Sequence, residues 1–132
     1  MMLRYVRSGL ERMRSVQRMA EGGLFEERRS HERAQSLLLR CLTPAQRAEF
    51  ERSSAFTIRG QSGQMYRITY GTAANVELLG RSGTVVRRLC AGPVGVPVPA
   101  VMLAQKLMLE NQEREFLSIA ALGTGTTRVL TA

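Results

Sequence analysis

The stretch Phe56–Tyr70, FTIRGQSGQMYRITY, decides the fold. Phe56 and Ile58 alternate with Thr57 and Arg59, and after Gln61-Ser62-Gly63 the alternation resumes, with Tyr66, Ile68 and Tyr70 set against Arg67 and Thr69. A period of two over both runs is the mark of half-buried strands. A short loop ending in Gly suits a hairpin with a bulge, because glycine takes the positive φ needed there. Pairing Ile58 with Tyr66 and Phe56 with Ile68 puts every apolar side chain on one face, and a slip of one residue would turn them all outward.

Toward the C-terminus, Asn75–Leu79 reads as the next strand, with Tyr70 opposite Val76 and Ile68 opposite Leu78. Gly80-Arg81-Ser82-Gly83 turns the chain into Thr84–Cys90, a fourth strand whose register that turn leaves open. Ala91–Pro99 (AGPVGVPVP) cannot be regular helix and reads as an extended crossing. Ala100–Glu110 is apolar nearly all round, with Gln105, Lys106 and Glu110 as its polar strip, and is expected to be the central helix on the sheet. Asn111 is expected to cap a last helix that runs to about Leu122, ahead of Gly123.

Toward the N-terminus, Thr43-Pro44-Ala45-Gln46 is a helix start. Thr43 is placed to cap, Pro44 suits the first helical position and Gln46 completes a capping box. The preceding helix, Leu24–Leu42, carries Ala34, Leu37, Leu38, Cys41 and Leu42 as an apolar stripe. Residues 1–22 form a basic amphipathic arm, separated by Gly22-Gly23. The expected architecture is therefore α+β: a four-stranded antiparallel meander flanked by two N-terminal and two C-terminal helices packed on one face. One domain covers 23–122, and 123–132 is a tail. Leu38, Phe50, Ile58, Ile68, Leu78, Leu103 and Leu107 are the expected centre of the core.

The 132 residues include 18 Arg, one Lys, 11 Glu and no Asp, for a net charge of +8. Without Asp, an EF-hand loop and an Asp-held Mg²⁺ are excluded. One His (His31) and two Cys (Cys41, Cys90) cannot build a four-ligand zinc site without a Glu, and no Cys-x-x-Cys spacing exists. The glycine-rich turns lack the Walker Lys, and His31 with Cys90 has no supporting motif. The expectation is a non-enzyme with no cofactor and no metal. Two separated Cys with no secretory leader point to reduced thiols in the cytoplasm. The apolar run Val94–Leu109, broken by Pro97 and Pro99 and holding Lys106, is too interrupted to span a bilayer.

Most of the positive charge lies in 1–22 and 55–98. The outward face of the meander carries Thr57, Arg59, Met65, Arg67, Thr69, Glu77 and Leu79, joined by Arg87 or Arg88 according to register. Such a face suits nucleic-acid backbone, through Arg59, Arg67, Arg87 and Arg88 with the arm residues Arg4, Arg7, Arg14 and Arg18. Phe56, Tyr66 and Tyr70 have the parity of the buried face, so no base-stacking ladder is expected. The alternative is a protein-interaction or assembly module, homo-oligomers included, docking through Met65, Leu79, Val85 and Leu89 or through the N-terminal helix. A solvated face whose Arg residues resist edge-to-edge aggregation and pair with Glu77 is the third reading.

The run from Phe56 to Ala120, above all YRITYG…NVELLG (Tyr66–Gly80), LCAGP (Leu89–Pro93) and VMLAQKLMLE (Val101–Glu110), resembles a family of small bacterial and phage proteins with no established function. Members often carry a His before the Pro and an Asp before the VMLAQKL run. Gly92 and Ala100 stand at those places here, so the resemblance implies no active site for this chain.

Overall fold

The computed structural model describes residues 23–122 and 130–131. The fold is α+β. Helix α1 (23–41) and helix α2 (Pro44–Ser53) precede strands β1 (Ala55–Arg59), β2 (Met65–Thr69), β3 (Val76–Leu79) and β4 (Val85–Leu89). Helices α3 (Val98–Asn111) and α4 (Glu113–Leu122) follow. The strands form an antiparallel meander in sequence order, and a two-residue strand β5 (Leu130–Thr131) adds to the edge of β4 opposite Arg88 and Arg87. The expected tail thus contributes one short strand to an edge with unpaired backbone groups. No helix among the described residues is long and apolar enough to cross a membrane.

The first hairpin has the expected register, Ile58 opposite Tyr66 and Phe56 opposite Ile68. The β2–β3 pairing differs by two residues from expectation: Ile68 opposes Val76 and Tyr66 opposes Leu78. Asn75 is the cause. Its carbonyl accepts from Thr69 N–H at 2.9 Å and its side chain donates to Thr69 O at 3.2 Å, so the connection extends to Asn75 before pairing begins. Ala74, at φ 50°, takes the left-handed backbone that closes it. A shift of two keeps the same face, so the core survives it.

The other sheet edge is covered by α2. The capping box at Thr43 forms as expected, with Thr43 N–H donating to Gln46 Oε1 at 2.9 Å. The same Gln46 donates through Nε2 to Thr57 O at 3.1 Å, and Glu49 accepts from Thr57 N–H and from its hydroxyl. These side chains satisfy the backbone groups that β1 presents at its free edge. Phe50, half-buried, packs edge-on against Phe56 with centroids 6.1 Å apart.

The core joins Leu38 of α1 and Leu42 just after it with the inner sheet face and with Met102, Leu103, Leu109, Phe116 and Ala120. Two expectations are corrected. In α1, Leu37 and Cys41 are exposed, because the helix meets the core through Leu38 and Leu39, with Leu42 just beyond its end. In α3, Leu107, expected at the centre of the core, is exposed, and Gln105 and Lys106 of the polar strip are buried. Gln105 is 1% and Lys106 6% exposed, whereas Leu107 is 47% exposed. Gln105 donates to Ala91 O and exchanges two hydrogen bonds with Asn75, while Lys106 pairs with Glu110 at 2.6 Å. A buried amide with partners on both sides orients this helix against its apolar surface, which is nearly uniform and so confers little preference.

Glu113, at the start of α4, reaches across to the first hairpin loop. Its carboxylate accepts from Ser62 N–H at 2.6 Å, Ser62 Oγ at 2.9 Å and Tyr66 OH at 2.5 Å. Burial by itself would raise the pKa of Glu113, but the hydrogen bonds from Tyr66 and Ser62 outweigh it and hold the carboxyl below its ordinary value. Burial, with Glu113 beside it, pushes the Tyr66 phenol well up.

Two outcomes follow from this clasp. Because the folded pKa of Glu113 lies below the unfolded one, its stabilisation is complete above the ordinary Glu value of about 4.3 and is lost as pH falls through the folded value. Thermal unfolding from pH 7 to pH 2 should show this acid loss, and Glu113→Gln should remove that part of it. A Cβ at Gly60 would stand 2.7 Å from Glu113 Oε2 and 2.9 Å from the Tyr66 ring. Gly60→Ala should therefore cost about 1–3 kcal/mol in urea titrations, as overpacking does.

Candidate binding face

The face of the sheet opposite the helices carries Thr57, Arg59, Met65, Arg67, Thr69, Glu77, Leu79, Val85 and Arg88, all exposed or half-buried. At its centre, Arg67, Glu77 and Arg88 stand in direct register across β2, β3 and β4. Arg67 Nε donates to Glu77 Oε1 at 2.9 Å, and Arg88 Nε lies 3.5 Å from Oε2. One carboxylate thus holds two guanidinium groups, each by its Nε. Their Nη groups have no acceptor among the described residues. With Arg59, the face holds three positive groups against one negative, a net +2.

The register resolves the choice between Arg87 and Arg88. A bulge at Leu78/Leu79 sets Leu78 opposite Arg87 and Glu77 opposite Arg88. Arg88 therefore joins the open face, and Arg87 has the parity of the helix-bearing face, exposed beyond the helices. The expected group Arg59, Arg67, Arg87 and Arg88 is divided accordingly. Leu89 is likewise corrected: it opposes Val76 and is 2% exposed, a core residue that no partner touches. Met65, Leu79 and Val85 do share the open face. Arg4, Arg7, Arg14 and Arg18 lie outside the described residues.

Among the described residues, no aromatic side chain stands on this face. Phe56 and Tyr66 are buried in the core, and the Tyr70 hydroxyl lies 2.9 Å from His31 Nε2 of α1. Cys90 donates to Thr72 O at 3.6 Å. Among the described residues, no three His, Cys, Asp or Glu side chains converge in a way that could hold a metal ion. What the face can do chemically is offer fixed guanidinium donors, flanked by Thr hydroxyls and short apolar side chains, to an anionic partner. Pairing of the arginines with Glu77 was expected of a solvated face, but which arginines flank it was not, because that depends on the two-residue shift between β2 and β3. In the expected register Glu77 would have faced Thr69. The Asn immediately before the third strand was the available signal, since Asn favours turns and closes them with its side chain. No family model, curated protein or solved structure matches the chain.

Glu77 makes the ladder testable. Glu77→Ala should destabilise the protein by roughly 1 kcal/mol, the sum expected of two partly exposed cross-strand pairs, and leave two like charges across β3. Urea titrations should show a larger loss at low salt than in 1 M salt, roughly a 3 Å screening length. A loss indifferent to salt would mean that Glu77 acts through packing.

Proposed function

We propose that this chain is a small non-catalytic protein that binds nucleic-acid backbone through the open sheet face. The observation that supports this reading is the Arg67–Glu77–Arg88 ladder. Glu77 orients both guanidinium groups without consuming their Nη donors, and Arg59 extends the positive field along the same face. Arg67 and Arg88 are two strands apart, roughly 10 Å at ordinary strand spacing, so one nucleic-acid strand crossing the sheet meets both. With no aromatic platform, such contacts position a backbone and read little sequence. A cytoplasmic setting, in which Cys41 and Cys90 stay reduced, suits this reading. The basic arm with Arg4, Arg7, Arg14 and Arg18 would add sequence-independent attraction.

A second reading, a protein-interaction or assembly module, is favoured by Met65, Leu79 and Val85 between the arginines. Fluorescence anisotropy of labelled DNA and RNA oligomers over a range of salt concentrations separates the two. Binding should weaken with salt, and replacing both Arg67 and Arg88 by Ala should lower the slope of log K against log salt by about 1.5. Arg87→Ala, on the other face, should change it least. Absence of binding at low salt, or indifference to the Arg67 and Arg88 substitutions, sinks the nucleic-acid reading. A concentration-dependent oligomer without nucleic-acid affinity favours the second.

A further inference from the structure

The two tight hairpin loops of the sheet repeat one pattern, Gly-x-Ser-Gly-x: Gly60-Gln61-Ser62-Gly63-Gln64 between β1 and β2, and Gly80-Arg81-Ser82-Gly83-Thr84 between β3 and β4. They also repeat one geometry. Gly60 N–H donates to Gln64 O at 2.7 Å and Gly63 N–H to Gly60 O at 3.0 Å. Gly80 N–H donates to Thr84 O at 2.7 Å and Gly83 N–H to Gly80 O at 3.0 Å. Gly63 and Gly83 share a positive φ, 92° and 78°.

In the first loop this geometry holds a carboxylate. Ser62 gives its N–H to Glu113 Oε1 and its hydroxyl to Oε2, one donor for each oxygen. Gly60 makes the room, since a side chain there would collide with Oε2. The floor of the seat is Tyr66, six residues after Gly60.

The second loop presents the same serine and glycines, with no counterpart of the Tyr66 hydroxyl that also donates to Glu113 Oε2 in the first. Ser82 N–H has no acceptor among the described residues, and the Ser82 hydroxyl has only Thr84 Oγ1, at 3.2 Å. At Gly80 a Cβ would meet Val86 Cγ2 at 3.1 Å and Thr84 Oγ1 at 3.4 Å, so here too a side chain would crowd the loop. Val86 stands six residues after Gly80, in the place that Tyr66 has in the first loop. One difference favours an external anion: Arg81 replaces Gln61, which puts a guanidinium next to the serine. Between the two loops lies a concavity of about 550 Å³, lined on the second loop's side by Leu78, Leu79, Gly80, Arg81 and Val86, with Ser82 outside its lining.

We propose that the Gly80–Thr84 loop binds the carboxylate of an acidic side chain presented by a partner protein, with Ser82 donating to its two oxygens and Arg81 supplying the opposite charge. A carboxylate is favoured over a phosphate because the twin loop binds a planar, two-oxygen acceptor with those two donors. Leu78 and Val86 offer apolar contact to the methylenes of a Glu. This site is distinct from the open-face ladder and does not depend on nucleic-acid binding there.

The test is an amide NMR titration of the full chain at constant ionic strength with N-acetyl-glutamate α-methylamide, its glutamine analogue and inorganic phosphate. The glutamate compound should move the Arg81 and Ser82 signals saturably and leave Ser62, already held by Glu113, in place. The neutral glutamine analogue should not. Ser82→Ala and Arg81→Gln, both in an exposed loop, should each weaken binding by roughly tenfold, the effect of losing one charge-assisted contact. Three outcomes overturn the proposal: no movement, movement shared equally with Arg59 and Arg67, or binding unchanged by both substitutions. Tighter binding of phosphate than of the carboxylate also overturns it, and assigns the loop to phosphate groups instead.

Discussion

Asn75 and Gln105 exchange two hydrogen bonds in the core, at 2.7 and 2.9 Å, and the rest of the sheet is arranged around that pair. Asn75 is tied to Thr69 and Gln105 to the carbonyl of Ala91, so the buried side-chain amides have partners. Leaving one of these groups unpaired in the core would cost about 1–3 kcal/mol. That is enough to choose between registers that bury the same apolar face. With Asn75 in place, Ile68 must meet Val76, and Glu77 is carried opposite Arg67. The ion ladder on the outside of the sheet is therefore a consequence of an amide pair on its inside.

The same pair explains the orientation of α3. Its sequence offers apolar surface in nearly every direction, so hydrophobic burial discriminates weakly among rotations of the helix about its axis. Polar groups discriminate strongly, because each must find a partner or stay in water. Gln105 finds Asn75 and Ala91, and Lys106 folds onto Glu110 one turn away. Leu107 is left half-exposed as a result.

The two sheet edges are managed by different means. At β1, Gln46 and Glu49 of α2 stand in for a neighbouring strand at Thr57. At β4, the two residues of β5 do so in part. Between these edges the outer face remains open, and its charges are organised by Glu77. Glu113 does for the first hairpin loop what Glu77 does for the strands: a single carboxylate gathers several donors, from neighbouring strands for Glu77 and from about fifty positions away for Glu113.

Much of this was legible in the sequence. Period-two alternation over Phe56–Tyr70 determined the first hairpin and its inward face, because side chains on a strand can alternate in only one way once the turn is set. The Thr43–Gln46 capping box marked where α2 begins, since backbone chemistry at a helix start is local, whereas α3 begins at Val98, two residues inside the stretch expected to be extended. The number and order of helices and of the four meander strands followed from the same signals. What only the tertiary structure decided are the choices among locally equivalent options. The β2–β3 register, the inward face of α3 and the outward place of Arg88 in preference to Arg87 each turn on partners that lie far away in the chain. Local periodicity does not register such partners. The reach of Glu113 to Ser62 across 51 positions is of the same kind. Composition and spacing determined which groups this protein has available; long-range hydrogen bonding decided which of them meet.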